Sequence, residues 1–225
     1  MPTRSSRFDD ALRELQGDVL RMASFTEEML GDAVRALTEQ DASLADEVIR
    51  RDDTVDDMDI DIEARCMRLL GLHHLGSKDL RVIGTAMKLI ADLERIGDYS
   101  VDIARTAKVL ADVEYFKPLE DIPRMAALTK GMVGDALTAF VRRDMKLVRK
   151  VCNEDADVDR LWDLLLAELI AWMGREPAVC AQATHLLLVA RYLERIADHA
   201  TNVAERVAYM ETGKLEPLAA SHRTS

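Results

Sequence analysis

Residues 93–105 read LERIGDYSVDIAR, and residues 193–205 read LERIADHATNVAE. Glu94 and Glu194 stand 100 positions apart, and so do Asp98 and Asp198. Residues four apart in a helix lie one above the other on one face. Glu94, Asp98 and Asp102 therefore form a vertical row of carboxylates, and Glu194, Asp198 and Asn202 form its counterpart. Like charges at this spacing disfavour a helix by roughly 0.2–0.5 kcal/mol per pair.

The repeat extends outward from these stretches. GDALTAFVRRDMKLVRKV at 134–151 matches GDAVRALTEQDASLADEV at 31–48 with an offset of 103. At that offset Asp52 meets Asp155 and Asp56 meets Asp159, whereas Asp59 and Glu63 meet Trp162 and Leu166. Apolar residues recur at alternating steps of four and three through Val82, Ala86, Leu89, Leu93 and Ile96. The same seam runs through Leu186, Val189, Leu193 and Ile196. This is the pattern of helices packed in a bundle. On a helical wheel the Glu94 row lies away from that seam, which predicts an outer-face position.

The remaining punctuation predicts six long helices in two tandem three-helix units. A helix runs from about Phe8 to Glu39, and Asp41 is placed to cap a second that continues to about Leu70. Gly71–Gly76 closes it, with Ser77 as the next cap. Pro118 and Pro123 mark the boundary between the units. Gly174 ends the fifth helix, Pro177 suits the first turn of the sixth, and Gly213 stops it. The reading divides the chain into 7–115, 118–213 and a disordered tail at 214–225.

Composition agrees with an all-α fold: Gly and Pro number 10 and 5, and aromatics are 4%. A net charge of −11 argues against a nucleic-acid partner and suits cations or a basic protein surface. The three cysteines have no metal-type spacing and read as buried thiols in a reducing compartment. No apolar run approaches the roughly 18 residues that span a membrane, and the N-terminus lacks a signal-peptide core, so a cytoplasmic location is expected.

The acidic rows leave two readings open. One is a solvated acidic face, which duplication alone would copy. The other is a cation site: adjacent second and third helices would bring four or five oxygen ligands together, a set that suits hard divalent or trivalent ions. A catalytic carboxylate pair is the weaker option, because no nucleophile or phosphate-cradling loop accompanies it. His199, beside Asp198, reads as an ordinary helix-surface histidine. Phosphotransfer on it is disfavoured because ADHATN lacks the Lys-Gly that usually follows such a residue.

The doubled motif, the tandem plan and the closing VAYMETGK resemble the PhoU family of bacterial phosphate-transport accessory proteins, over about residues 8–213. The resemblance implies two three-helix bundles and a cytoplasmic negative regulator that is not an enzyme. It implies a link between the phosphate ABC transporter's ATPase subunit and the sensor histidine kinase of a two-component system, with membrane contact only through such partners and a homodimer as the common assembly. It also implies metal (iron, zinc, magnesium or manganese) at Asp52, Asp56, Glu94, Asp98 and Asp102, and at Asp155, Asp159, Glu194, Asp198 and Asn202. Asn202 stands where the first row has Asp102 and carries no charge, so the second site is expected to hold metal more weakly. A metal-storage protein without a phosphate role is the competing reading.

Overall fold

The computed structural model describes residues 4–72 and 75–219, with the side chains of 4–7 left aside. The chain is all helical: α1 (Arg4–Glu39), α2 (Ala42–Arg50), α3 (Asp52–Leu70), α4 (Ser77–Leu110), α5 (Asp121–Arg142), α6 (Met145–Arg175) and α7 (Cys180–Thr212). No strand occurs among the described residues.

Several boundaries follow the expected chemistry. Asp41 accepts the Leu44 N–H at 2.9 Å, and Asp144 accepts the Lys146 N–H at 2.8 Å, so both second helices start on an aspartate cap. Gly213 has φ +74° and sends its N–H to the Tyr209 carbonyl at 2.8 Å, the left-handed stop that glycine adopts without strain.

Others differ from expectation. The first helix begins at Arg4, four residues before the expected start at Phe8. The cap of α4 is Gly76 rather than Ser77, with the Asp79 carboxylate accepting the Gly76 N–H at 3.1 Å. Gly174 lies within α6, and Pro177 opens a 3-10 turn, Pro177–Val179, that leads into α7. Pro123 sits in the first turn of α5, where its missing N–H has no intrahelical partner to lose.

The expected single second helix is broken at Arg51 into α2 and α3. Restarting there places Asp52 and Asp53 at a helix N-terminus, where the backbone dipole favours negative charge. The matching helix, α6, runs unbroken from Met145 to Arg175.

Helices α4 and α7 form the spine. The first packs on α1, α2 and α3, the second on α5 and α6, and they pack on each other. His199 Nδ1 lies 2.8 Å from Asp92 Oδ1, and the rings of Tyr99 and Tyr192 stack with centroids 5.9 Å apart. Between these contacts α4 advances by seven residues and α7 retreats by seven, so the two run antiparallel. Adding the repeat offset of 100 turns Asp92 into Tyr192 and Tyr99 into His199. The His199–Asp92 contact and the aromatic stack thus occupy one contact seen from its two ends, as a two-fold relation requires.

A second contact between the halves joins α1 and α5. Gly31 and its counterpart Gly134 make room there for the facing side chains: a Cβ would stand 3.4 Å from Lys130 Nζ and 3.8 Å from Glu27 Oε2 respectively. Glu27 and Lys130, themselves counterparts, approach to 3.7 Å.

Leu218 and Ala219, in the segment expected as a tail, are held against the fold. The Glu205 carboxylate accepts the N–H groups of Leu218 at 2.6 Å and Ala219 at 3.2 Å, and Ala219 is fully buried. The tail beyond Ala219, and His73 and His74, lie outside the described residues. No described helix is long and apolar enough to cross a membrane. No disulfide joins the three cysteines among the described residues, and burial pushes the Cys66 thiol up to about 11, which keeps it protonated.

Candidate functional site: two half-buried carboxylate rows

In the first half the site is the crevice between α3 and α4. A Cβ on Gly97 would stand 3.3 Å from Val55 Cγ1, so glycine at this point of α4 lets α3 lean close. That approach carries Asp52 and Asp56 towards Glu94 and Asp98. The Asp52 carboxyl is raised above the usual range by burial first, then by Asp98 and Asp56, with Arg105 opposing. Glu94 is raised by burial, then by Asp98, with Arg95 opposing and Asp56 and Asp59 adding. The expected facing of the two rows is therefore present as a shared electrostatic neighbourhood.

The second half repeats this between α6 and α7. Asp159 is raised by burial, then by Asp155, Asp198 and Asp163, with Arg191 opposing. Glu194 is raised furthest, to about 7, by burial and then Asp198, against Arg191 and Arg195, with Asp159 adding. Its Oε2 is buried and has no hydrogen-bond partner.

The α4 and α7 rows lie outside the core, as the wheel predicts, and are recessed rather than fully open: Asp98 and Asp102 are 37% and 36% exposed. The side chains of Glu94 and Glu194 are 27% and 12% exposed. Asp155 is 2% exposed and accepts the Thr201 hydroxyl at 3.3 Å. A helical wheel sees the seam of one helix; the second wall of each crevice comes from the neighbouring helix. One signal for Asp155 was legible: it lies between the core residues Val151 and Val158, on the apolar stripe of α6.

Arginines, which the sequence reading left out, thread through both rows. Arg95 reaches Glu94 at 3.4 Å and Asp98 at 2.7 Å, and Arg105 reaches Asp102 at 3.0 Å. Arg191 reaches Glu194 at 2.6 Å, and Arg195 reaches Asp198 at 3.2 Å. These pairs sit at i to i+3 or nearer on their own helices, a spacing readable in the sequence. Trp162, which replaces Asp59, lies under the Arg191 guanidinium at 5.6 Å and steadies it. His199 is occupied by Asp92 across the spine.

Asp52, Asp56, Glu94 and Asp98 thus share one electrostatic neighbourhood, and Asp155, Asp159, Glu194 and Asp198 share another. One turn further along α4 and α7, Asp102 pairs with Arg105 and Asn202 follows Asp198 by four residues. Among the described residues, no three His, Cys, Asp or Glu side chains stand in a group that would hold a metal as they lie. Arg95, Arg105, Arg191 and Arg195 already pair with carboxylates of these rows. The donor set is nonetheless all oxygen, the kind hard cations take, and the unpartnered Glu194 Oε2 is a free acceptor within it.

Two copies of a three-helix unit, joined through an antiparallel helix pair and carrying matched carboxylate crevices, define a duplicated all-helical protein built to present surfaces. The PhoU domain matches the chain twice, over residues 19–107 and 122–207. The phosphate-specific transport system accessory protein PhoU homologue of Clostridium acetobutylicum is 38% identical over 208 residues, spanning 92% of this chain and 95% of that protein. The homologue of the same description from Aquifex aeolicus is 40% identical over 204 residues, spanning 91% and 92%. The crystal structure of PhoU from Pseudomonas aeruginosa superposes with a TM-score of 0.89 at 34% identity, covering 92% of this chain and all of that one. The chain belongs to the PhoU family, whose members are regulators and not enzymes.

Proposed function

We propose that this protein is a cytoplasmic negative regulator of phosphate uptake and phosphate-starvation signalling, and that the carboxylate crevices are where it engages its partners. The observation that carries this reading is the pairing of family membership over nine-tenths of the chain with two acidic crevices kept at matched positions. The relatives are named as accessory proteins of phosphate-specific transport. The partners this implies are the ATPase subunit of the phosphate ABC transporter and the sensor histidine kinase of the two-component system. Contact with the membrane comes only through them.

The residues act through charge. A chain of net −11 with its carboxylates gathered on α3, α4, α6 and α7 attracts a basic surface, which sets encounter rate and salt sensitivity more than final affinity. Binding one kinase conformation better than the other shifts the kinase towards its silent state. The arginines threaded through the rows are part of this: a partner's basic group displaces Arg95 or Arg195 rather than adding to it.

A hard cation held by Asp52, Asp56, Glu94, Asp98 and Asp102, or by Asp155, Asp159, Glu194, Asp198 and Asn202, would supply positive charge that relieves the like-charge repulsion. The first set has the stronger donors, because Asn202 is neutral and Arg191 occupies Glu194.

Deleting the gene tests the role: alkaline phosphatase activity should become constitutive in phosphate-rich medium, and unchanged repression would sink it. Replacing Glu94, Asp98, Glu194 and Asp198 together by alanine tests the site. Circular dichroism checks that the variant folds, and it should release repression as the deletion does. Metal content of the purified protein, measured by mass spectrometry, should fall with it.

A further inference from the structure

The flank of each half carries a groove between its first and second long helices. In the first half α1 and α3 form it, with Arg21, Met58, Asp61 and Arg65 among the lining residues. In the second half α5 and α6 form it, as a trough of about 450 Å³ lined by Arg124, Leu128, Asp157, Arg160, Leu161 and Leu164. The repeat offset of 103 maps Arg21 onto Arg124 and Met58 onto Leu161, so this is one place in the fold seen twice. What differs is the rim. Where the first half has Asp57 and Asp61, the second has Arg160 and Leu164.

That exchange changes what the groove can hold. In the first half two of the three lining arginines are already answered: Asp18 binds Arg65 at 2.7 Å and also pairs with Arg21, and Glu14 binds Arg65 at 2.9 Å, which leaves Arg68. In the second half Arg124 is exposed and makes no ion pair among the described residues. Arg160 meets only Asp157 on its own helix, an exposed pair of the kind that contributes little. Leu164 is 66% exposed. Beyond it the outward face of α6 continues through Ala167, Ala171 and Gly174, at steps of three and four, all exposed. Small side chains at that spacing allow a second helix to approach closely. The matching residues Ala64, Arg68 and Gly71 interrupt the same line with a charge.

We infer that the α5–α6 groove docks an acidic amphipathic helix from a partner protein. Its apolar edge sits on Leu128, Leu161 and Leu164, and its carboxylates meet Arg124 and Arg160. A helix fits because the lining residues fall at helical steps on two antiparallel rods, which leaves a straight trough. An acidic helix fits because Arg124 and Arg160 outnumber Asp157 in the groove, on a chain of net −11. A second copy of this chain, related by a two-fold axis through the groove, would set arginine against arginine. The groove is distinct from the carboxylate crevices, so this surface and the proposed acidic one select partners of opposite charge.

Binding of labelled three-heptad synthetic peptides to the full chain, followed by fluorescence anisotropy, tests this. A Leu/Glu amphipathic peptide should bind, and Leu164→Glu and the double variant Arg124→Glu/Arg160→Glu should each weaken it by about tenfold or more. The same peptide with its leucines replaced by serine should not bind. A Leu/Lys peptide should bind without responding to these variants, because it is drawn to the acidic crevices. All the altered side chains are exposed or at the rim, and circular dichroism checks that the variants fold. Failure of the Leu/Glu peptide to bind, or equal binding to wild type and variants, overturns the inference. So does a wild-type oligomer that Leu164→Glu converts to monomer, which would show the groove covered by a second copy.

Discussion

Helix α3 and the matching stretch of α6 start from the same aspartates and use them differently. Asp52 opens α3 after the break at Arg51 and looks into a crevice where Asp56, Asp59, Glu94 and Asp98 gather. Asp155 lies mid-helix in the unbroken α6, buried against Thr201. The position matching Thr201 is Val101, which offers no hydroxyl. Arg191 and Trp162 cover the second crevice, where the first half has Ala91 and Asp59. The Arg105 position holds Glu205, which turns away to tie down residues 218–219. After duplication, one half has kept its carboxylates accessible and the other has drawn some of its own into the structure. A buried carboxylate is worth keeping only if it is answered by a donor.

Core truncation gives the largest effect and tests whether the halves are equally stable. Phe140 and Leu37 are counterparts, both fully buried. Phe140→Ala should cost about 3–5 kcal/mol, and Leu37→Ala about 2–5 kcal/mol. If urea unfolding stays two-state for both, the halves unfold together through the α4–α7 spine. If either variant produces a separate early transition, each half is an independent cooperative unit.

Titration of the rows sharpens the comparison at the site. Glu194 has its pKa raised from 4.5 to about 7, so the folded state holds this proton more tightly than the unfolded chain does. That stabilisation is fully present below about pH 4.5 and is lost as pH rises through about 7. Glu194→Gln stays neutral throughout and can still accept from Arg191. In metal-free buffer its melting temperature should fall less than wild type's between about pH 5 and about pH 8. Glu94→Gln should flatten the profile in the same direction but less, because Glu94 is the more exposed of the two. A larger effect at Glu94 would break the comparison.

The smallest effect concerns Gln40 and Arg143, counterparts that both take a left-handed backbone, with φ 56° and 55°. Glycine relieves that strain by about 1 kcal/mol. Gln40 is held there by its side chain, which donates to the carbonyls of Leu110 at 2.7 Å and Val113 at 2.8 Å and so closes the end of α4. Arg143 has only a half-exposed ion pair with Glu211 at 3.2 Å. Arg143→Gly should be neutral or raise the melting temperature by a few degrees, and Gln40→Gly should lower it. Equal responses would mean that the Gln40 bonds add nothing.

The sequence by itself determined the helical class, the duplication, the aspartate caps at Asp41 and Asp144, the stop at Gly213 and the identity of the carboxylate rows. These are local or periodic facts: a capping oxygen, a left-handed glycine and a recurring seam act within a few residues of themselves. Tertiary structure alone decided how deep the rows lie, which flank groove leaves its arginines open and where α3 begins. Depth depends on the neighbouring helix, as Gly97 against Val55 shows, and one helix's wheel has no knowledge of that wall. The contact of Asp92 with His199, and of Tyr99 with Tyr192, needed the antiparallel register of α4 and α7, which is set by packing across about 100 residues of intervening chain.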